Sequence, residues 1–238
     1  MNWQALFSEL LIFVTVFVLL YLNGHSGLRK KPKVKKGQIK VACVGDSITY
    51  GFGISNWPKY NYPKQLQNLL GNDYHVANFG VTGSCAGMFT DLPYKITKVY
   101  NKSLEYEADI LIFMLGSNDS KYQNWSSKEE FKEGYLSLLE TYKKDENIKI
   151  YLCTIARAFF SEGNKTPLTN YKIQPEMVDK IAGVIREIAI ENDYPLIDIY
   201  ELTADNYEWF SDDNTHPNKD GALAIAKEVC RHIKNEDC

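Results

Sequence analysis

Short apolar runs alternate with amphipathic stretches along the chain from residue 39 onwards. The runs are continuously hydrophobic rather than alternating with polar residues, which is the pattern of strands buried on both faces of a parallel sheet. This pattern predicts five strands, at Ile39–Val44, His75–Phe79, Ile110–Leu115, Ile148–Ile155 and Leu196–Ile199.

Amphipathic segments between and after these strands predict helices. Ser127 precedes one of them and Glu130 follows three residues later, the pattern of a capping box, while Gly71 marks the end of another. The predicted helices are Tyr62–Leu70, Lys128–Lys143, Pro175–Glu191 and Lys219–Ile233. Because strand and helix alternate repeatedly, we predict an α/β fold: a three-layer αβα sandwich in which helices cover both faces of a parallel five-stranded sheet.

The first 24 residues follow a different pattern. Leu6–Leu22 is apolar except at three positions, and as a helix it would be about 26 Å long, enough to span a bilayer. No Lys or Arg precedes it and the residues after it form a poor cleavage site, so we predict an uncleaved anchor rather than a signal peptide. The predicted division is a transmembrane anchor at residues 1–24, a basic linker at residues 25–38 and one globular domain at residues 39–238.

Charge is distributed unevenly along the chain. Residues 1–36 hold six of the 27 Lys and Arg residues and only one of the 30 acidic residues, so the net charge of the rest of the chain is near −8. An acidic body is a poor partner for a phosphate backbone, whose binding depends on Lys and Arg, and we expect no nucleic-acid partner. The 45% hydrophobic and 24% charged composition over 238 residues is that of a folded domain, which excludes disordered and polytopic membrane proteins.

The five cysteines are an odd number for a disulfide framework. Cys43 and Cys153 lie inside predicted strands, and we interpret them as reduced core residues. Cys230 and Cys238 could pair, but their spacing alone does not decide it. No pair of cysteines or histidines has the spacing of a structural zinc site.

Ser47 follows the first predicted strand, at the sheet edge where reactive residues of parallel sheets collect. A serine in this place can simply cap a helix, and it becomes a nucleophile only with a base and a group that orients the base. His216 is the candidate base, because it lies on the loop before the last helix with Asp213 three residues earlier, close enough to bond the ring. The other three histidines, His25, His75 and His232, are interpreted as surface or boundary residues.

A tetrahedral intermediate also needs donors for its negative oxygen. Gly83 follows the second predicted strand and can bring its N–H close to a ligand, and Asn118 follows the third and offers its amide. Each could instead serve only its own loop. Because the candidates follow strands one, two, three and five, they are all expected at one edge of the sheet. Phosphate-loop, dinucleotide and G-x-S-x-G motifs are absent from the sequence.

These blocks resemble those of the SGNH, or GDSL-type, hydrolase superfamily over about residues 39–232. They read Gly45-Asp46-Ser47, a glycine block ending in Gly83, Gly116-Ser117-Asn118-Asp119, and Asp213-x-x-His216. The resemblance implies a flavodoxin-like strand order and a serine esterase that needs neither metal nor cofactor. It implies Ser47 as nucleophile, His216 as general base and Asp213 as its orienter, with the N–H groups of Ser47 and Gly83 and the Asn118 amide as oxyanion donors. Ile48 replaces the usual leucine, and Asp46 is implied to shape the loop.

Several stretches of the chain are further similar to bacterial carbohydrate esterases of the acetylxylan and sialate O-acetylesterase kind. The expected reaction is therefore hydrolysis of short-chain, acetyl esters on a small molecule or glycan through an acyl-enzyme. A lysophospholipase or thioesterase of the same superfamily, and a membrane-tethered glycan-binding protein with a vestigial triad, are the alternatives. Five aromatic residues suit sugar stacking, although ordinary packing explains them equally well: Tyr50, Phe52, Trp57, Tyr60 and Trp125.

The side of the membrane on which the body lies stays open. The basic cluster after the predicted span favours the cytoplasm by the positive-inside rule, whereas enzymes of this kind often work outside the cell. The sequence also leaves the oligomeric state open.

Overall fold

A computed structural model describes residues 34–143, 147–159, 171–235 and Cys238. Its centre is one five-stranded sheet in the order β2-β1-β3-β4-β5, and every neighbouring pair of strands is parallel. The strands are β1 Ile39–Gly45, β2 Tyr74–Gly80, β3 Ile110–Met114, β4 Lys149–Cys153 and β5 Leu196–Ile197. This is the flavodoxin-like order, which confirms the predicted fold class and sheet.

Helices cover both faces of the sheet. Along β1, Val41 and Cys43 face a layer formed by α3 (Tyr62–Leu70) and α8 (Lys219–Lys234). Ala42 and Val44 face the opposite layer, formed by α4 (Lys98–Glu105), α5 (Lys128–Glu140) and α6 (Pro175–Glu191). Both faces of the strand are buried, which is why its sequence is continuously apolar. The helices of the described residues are α1 Ser47–Tyr50, α2 Trp57–Tyr60, α3 Tyr62–Leu70, α4 Lys98–Glu105, α5 Lys128–Glu140, α6 Pro175–Glu191, α7 Ile199–Leu202 and α8 Lys219–Lys234.

The main helices and strands lie where the hydrophobic pattern predicts them, with differences at their ends. The strand predicted at Leu196–Ile199 stops at Ile197, because Asp198 caps α7 by accepting a hydrogen bond from the Glu201 N–H at 3.1 Å. The helix predicted to reach Lys143 ends at Glu140. Short α1, α2 and α7, and the two-turn α4, were not predicted, since one or two turns show too little periodicity to be recognised.

The start of α5 corrects one detail of the predicted capping box. The Ser127 hydroxyl accepts a hydrogen bond from the Glu130 N–H at 3.1 Å, as predicted. The Glu130 carboxylate does not complete the box at Ser127, because it instead accepts a hydrogen bond from the Ser126 hydroxyl. The helix start is therefore capped by one side chain rather than by a reciprocal pair.

The cysteines divide as follows. Cys43 and Cys153 are buried and unpaired, as predicted for core residues. Cys230 and Cys238 form a disulfide, which decides the pairing that their spacing left open. Cys85 is also buried and unpaired.

The predicted anchor at residues 1–24 and most of the linker lie outside the described residues. Within the part of the chain that the structure describes, no helix combines the length and the apolar character needed to cross a membrane.

Candidate active site

Ser47 is the first residue of α1, and only Asp46 separates it from the end of β1. The side chain of Asp46 accepts a hydrogen bond from the Ile48 N–H at 2.9 Å and so caps this short helix. The end of β2 lies very close to α1, since a Cβ added to Gly80 would be 2.2 Å from the Tyr50 nitrogen. Glycine at this position therefore allows the helix that carries Ser47 to lie against the sheet edge.

Ser47, His216 and Asp213 form a continuous chain of hydrogen bonds. The Ser47 Oγ is 2.9 Å from Nε2 of His216, and Nδ1 of the same ring is 2.7 Å from Oδ2 of Asp213. Both side chains are buried, with Ser47 6% and His216 5% exposed. The fold thus brings together two residues that lie 169 positions apart in sequence. When Nδ1 carries the ring proton and donates a hydrogen bond to Asp213, Nε2 has the lone pair that accepts the serine proton.

The loop before α8 holds the second oxygen of Asp213 as well. Oδ1 accepts hydrogen bonds from the backbone N–H groups of Thr215 and His216 at 3.0 and 2.9 Å and from the Ser211 hydroxyl at 3.0 Å. Partial burial would raise the pKa of Asp213, but the His216 imidazole and the backbone N–H groups of His216 and Thr215 outweigh it and lower the pKa to about 2. Asp213 is therefore charged at neutral pH and can stabilise an imidazolium.

The three predicted oxyanion donors line the same cavity as the Ser47 hydroxyl. Gly83 has a φ of +83°, a left-handed conformation that glycine adopts without strain. The Asn118 amide donates one N–H to the Ser84 carbonyl at 3.1 Å, which fixes the side chain and leaves its second N–H available. Among the described residues, nothing accepts a hydrogen bond from the backbone N–H of Ser47 or Gly83. These three groups could therefore donate hydrogen bonds to a negative oxygen in the cavity, as the predicted oxyanion role requires.

The sequence pattern of the GDSL-like Lipase/Acylhydrolase family matches residues 43–224, which contain all of these groups. The chain belongs to that family. The superfamily predicted from the four sequence blocks is thereby confirmed, and the matched domain is that of a carboxylic ester hydrolase.

One curated relative of this chain is a carbohydrate esterase. The chain is 32% identical over 225 residues to an acetylxylan esterase of Xylanibacter ruminicola, an alignment that covers 87% of this chain and 45% of that protein. The chain thus spans about half the length of the curated relative.

Solved structures share the fold at lower identity. A carbohydrate acetylesterase from Sinorhizobium meliloti superposes with a TM-score of 0.65 at 14% identity, covering 83% of this chain and 99% of the other. A lipase/acylhydrolase from Enterococcus faecalis superposes with a TM-score of 0.66 at 18% identity, covering 83% and 96%.

Asp119 connects the loops of Gly83 and Asn118, the two candidate oxyanion donors. Its carboxyl group accepts hydrogen bonds from the backbone N–H groups of Ala86 and Gly87 at 3.0 and 2.8 Å. Its full burial outweighs these bonds and raises its pKa to about 6. The residue after Asn118 thus anchors the loop that carries Gly83, a contact that sequence reasoning did not identify.

The catalytic cavity is small, about 80 Å³, and aromatic side chains form part of its wall. The ring centroids of Phe52 and Tyr171 lie 4.8 and 5.3 Å from the centroid of the His216 imidazole, and 5.7 Å from each other. Ile173 and Lys121 also line the cavity. Sequence reasoning had singled out Phe52 as an aromatic near the site but missed Tyr171, which follows no motif.

The remaining histidines and aromatic candidates lie elsewhere. His75 bonds the Tyr106 hydroxyl at 2.7 Å, and His232 bonds the backbone of its own helix, as expected for boundary residues; His25 lies outside the described residues. Tyr50 and Trp57 stack on each other, Tyr60 lies beneath Lys59 and Lys219, and Trp125 contacts Phe131. Of the five aromatic candidates, only Phe52 touches the catalytic histidine candidate.

Proposed function

We propose that this protein is a serine esterase that hydrolyses acetyl esters on a carbohydrate through an acyl-enzyme. The observation that carries the proposal is the hydrogen-bonded chain Ser47–His216–Asp213 opening into a small cavity ringed by the three oxyanion donors. The similarity to an acetylxylan esterase supports the acetyl group and the carbohydrate.

In the proposed reaction, the Ser47 Oγ attacks the ester carbonyl carbon while Nε2 of His216 takes the serine proton. The carbonyl oxygen becomes negative and accepts hydrogen bonds from Ser47 N–H, Gly83 N–H and the Asn118 amide. Collapse of this intermediate breaks the bond to the alcohol, which leaves with the proton from His216. A water molecule, deprotonated by the same ring, then attacks the acyl carbon of acetyl-Ser47. The bond between that carbon and the Ser47 Oγ breaks, His216 returns the proton to the Oγ, and acetate leaves.

The size of the cavity supports a short acyl group. Its volume of about 80 Å³ is well below the roughly 300–1,000 Å³ of pockets that hold drug-sized ligands. Phe52, Tyr171 and Ile173 line the cavity, and their large side chains limit its size.

A series of p-nitrophenyl esters tests the proposal. We expect kcat/KM to be highest for acetate and to drop sharply beyond butyrate, and Ser47→Ala to lower turnover by at least about a thousand-fold while the protein stays folded by circular dichroism. A rise in rate toward octanoate would instead indicate a lysophospholipase or thioesterase. Absence of Ser47-dependent labelling by a fluorophosphonate, together with glycan binding, would indicate a binding protein with an inactive triad.

We also propose that residues 1–24 anchor the protein in a membrane with the body on the outer side. The apolar run supports the anchor, and the Cys230–Cys238 disulfide supports an oxidising compartment. Fractionation of cells that express the full chain tests the anchor: the protein should remain in the membrane pellet after an alkaline carbonate wash. A reporter that fluoresces only in the cytoplasm, fused after Cys238, should stay dark; bright cells would place the body inside.

A further inference from the structure

Two aromatic side chains on the loops that contribute Gly83 and Lys121 to the catalytic cavity are almost fully exposed to solvent. Phe89 is 84% exposed and Tyr122 is 87% exposed, the highest values among the large hydrophobic side chains of the described residues. Phe89 lies on the loop that carries Gly83, and Tyr122 directly follows Lys121, which lines the cavity. Burying such rings against a ligand would remove unfavourable apolar surface from water.

Hydrogen bonds connect the loop that carries Phe89 to the loop that carries Tyr122, and they restrict the motion of both backbones. The Asn124 side chain accepts a hydrogen bond from the Asp91 N–H and donates to the Asp91 carboxylate, both at 2.9 Å. It also donates to the Asn118 carbonyl at 2.9 Å. Together with the contacts of Asp119, these bonds join the Phe89 loop to the loop of Tyr122. Little conformational freedom of the backbone would be lost on binding.

Phe89 also lines a shallow depression of about 10 Å³, which offers an open surface rather than an enclosed pocket. The depression contains the partly buried ring of Trp125 and the side chains of Ser126 and Glu130, and its wall includes Asp119, the residue after the oxyanion donor Asn118. The Asp119 carboxyl is buried and bonded to Ala86 and Gly87, so the polar groups at the surface of the depression are the Ser126 hydroxyl and the Glu130 carboxylate, which are bonded to each other beside the aromatic rings. A sugar ring presents the matching surface, with apolar C–H faces and a rim of hydroxyl groups.

We propose that Phe89 and Tyr122 form a glycan subsite that binds sugar units flanking the acetylated one. The inference rests on the proposed carbohydrate esterase function. Because the catalytic cavity has room for little more than the acyl group, the sugar chain must lie across its rim, and these two loops form part of that rim. The ligand class is a neutral polysaccharide chain. Its sugar rings stack on the exposed aromatic rings, and its hydroxyl groups donate hydrogen bonds to the polar groups of the depression.

The test compares a polymeric substrate with a small one in the full-length protein. For Phe89→Ala and Tyr122→Ala, we expect the ratio of kcat/KM on acetylated xylan to kcat/KM on p-nitrophenyl acetate to fall roughly threefold to tenfold, through a higher KM for the polymer. Ile190→Ala is the matched control, since Ile190 is 81% exposed but lies near the end of α6, and it should leave the ratio unchanged. Tyr122→Phe, which keeps the ring, should retain the wild-type ratio.

The outcomes separate this proposal from the proposed function. If the wild type cleaves p-nitrophenyl acetate but both alanine variants keep the wild-type ratio, the subsite is refuted and the esterase stands. If the wild type cleaves neither substrate, the esterase is refuted, and retardation of Ser47→Ala protein in gels containing xylan tests the subsite alone. Retardation that Phe89→Ala and Tyr122→Ala abolish supports the subsite, whereas no retardation, or retardation that persists in those variants, overturns it.

Discussion

At the scale of single residues, Asp213 has two tasks, because one oxygen orients His216 and the other closes the loop that carries both residues. An asparagine at this position keeps the shape but loses the charge and can stabilise the wrong imidazole tautomer. We therefore expect Asp213→Asn to lower kcat/KM on p-nitrophenyl acetate by roughly a thousand-fold to ten-thousand-fold. Steady-state rates measure this, with the melting temperature as a check on folding. A loss smaller than tenfold would contradict the role of Asp213.

The same residue has a consequence for stability at low pH. The pKa of Asp213 is about 2 in the folded protein, against ~3.9 in an unfolded chain. The depressed pKa contributes stability that is complete above about pH 4 and is lost as the pH falls toward 2. We expect the free energy of unfolding of the wild type to fall more steeply over this window than that of Asp213→Asn, as measured by urea denaturation. Parallel slopes for the two proteins would contradict the depressed pKa.

Asp119 affects the pH dependence of stability in the opposite direction from Asp213 and over a higher pH range. Burial raises its pKa to about 6, so the folded state binds a proton that the unfolded chain does not hold between about pH 4 and pH 6. Its contribution to stability therefore decreases as the pH rises through that range. The two carboxyl groups affect separate parts of the pH profile, which keeps the Asp213 measurement distinct.

At the scale of helices, two glycines show that the surroundings of an element decide the effect of a substitution. Gly183 lies inside α6, and a Cβ added there would meet nothing within 4 Å. Gly134 lies inside α5, and a Cβ there would lie 3.0 Å from the Gly87 Cα. The Gly87 backbone is bonded to Asp119 and has little freedom to move away.

We expect Gly183→Ala to raise the free energy of unfolding by about 0.5–1 kcal/mol, since alanine has the higher helix propensity. Gly134→Ala gains the same propensity but should be destabilising because of the close contact with Gly87. Urea denaturation of both variants measures the difference. If Gly134→Ala stabilised the protein as much as Gly183→Ala, the contact between α5 and the loop would not be as tight as the structure shows.

At the scale of the whole molecule, the disulfide fixes the C-terminal residue to α8. Cys230 is a buried residue of that helix, and its partner Cys238 lies eight positions later. Closing this short loop restricts the unfolded chain, so we expect Cys238→Ser to lower the free energy of unfolding by about 2 kcal/mol under oxidising conditions. The difference should disappear when both proteins are measured in a reductant. Equal stability under oxidising conditions would indicate that the bond does not form in solution.

The predictions that succeeded from sequence rest on local signals. Short hydrophobic runs located the strands, Ser127 and Gly71 marked helix ends, and the order of the four blocks identified the family. The placement of Ser47 and His216 at one sheet edge also followed, because parallel strands bring their carboxyl ends together. Each of these signals depends on residues that are close in sequence or on the general geometry of parallel sheets.

Only the tertiary structure decided the size of the catalytic cavity, the contact of Tyr171 with His216 and the exposure of Phe89 and Tyr122. These features depend on loops from different strands that meet in space, and the bonds between them join positions more than 30 residues apart. Aromatic residues are equally compatible with a core and with a rim, so composition cannot assign them. Sequence therefore determined the fold and the sheet edge at which the candidate catalytic residues meet, whereas the walls and rim of the cavity depend on packing between distant segments.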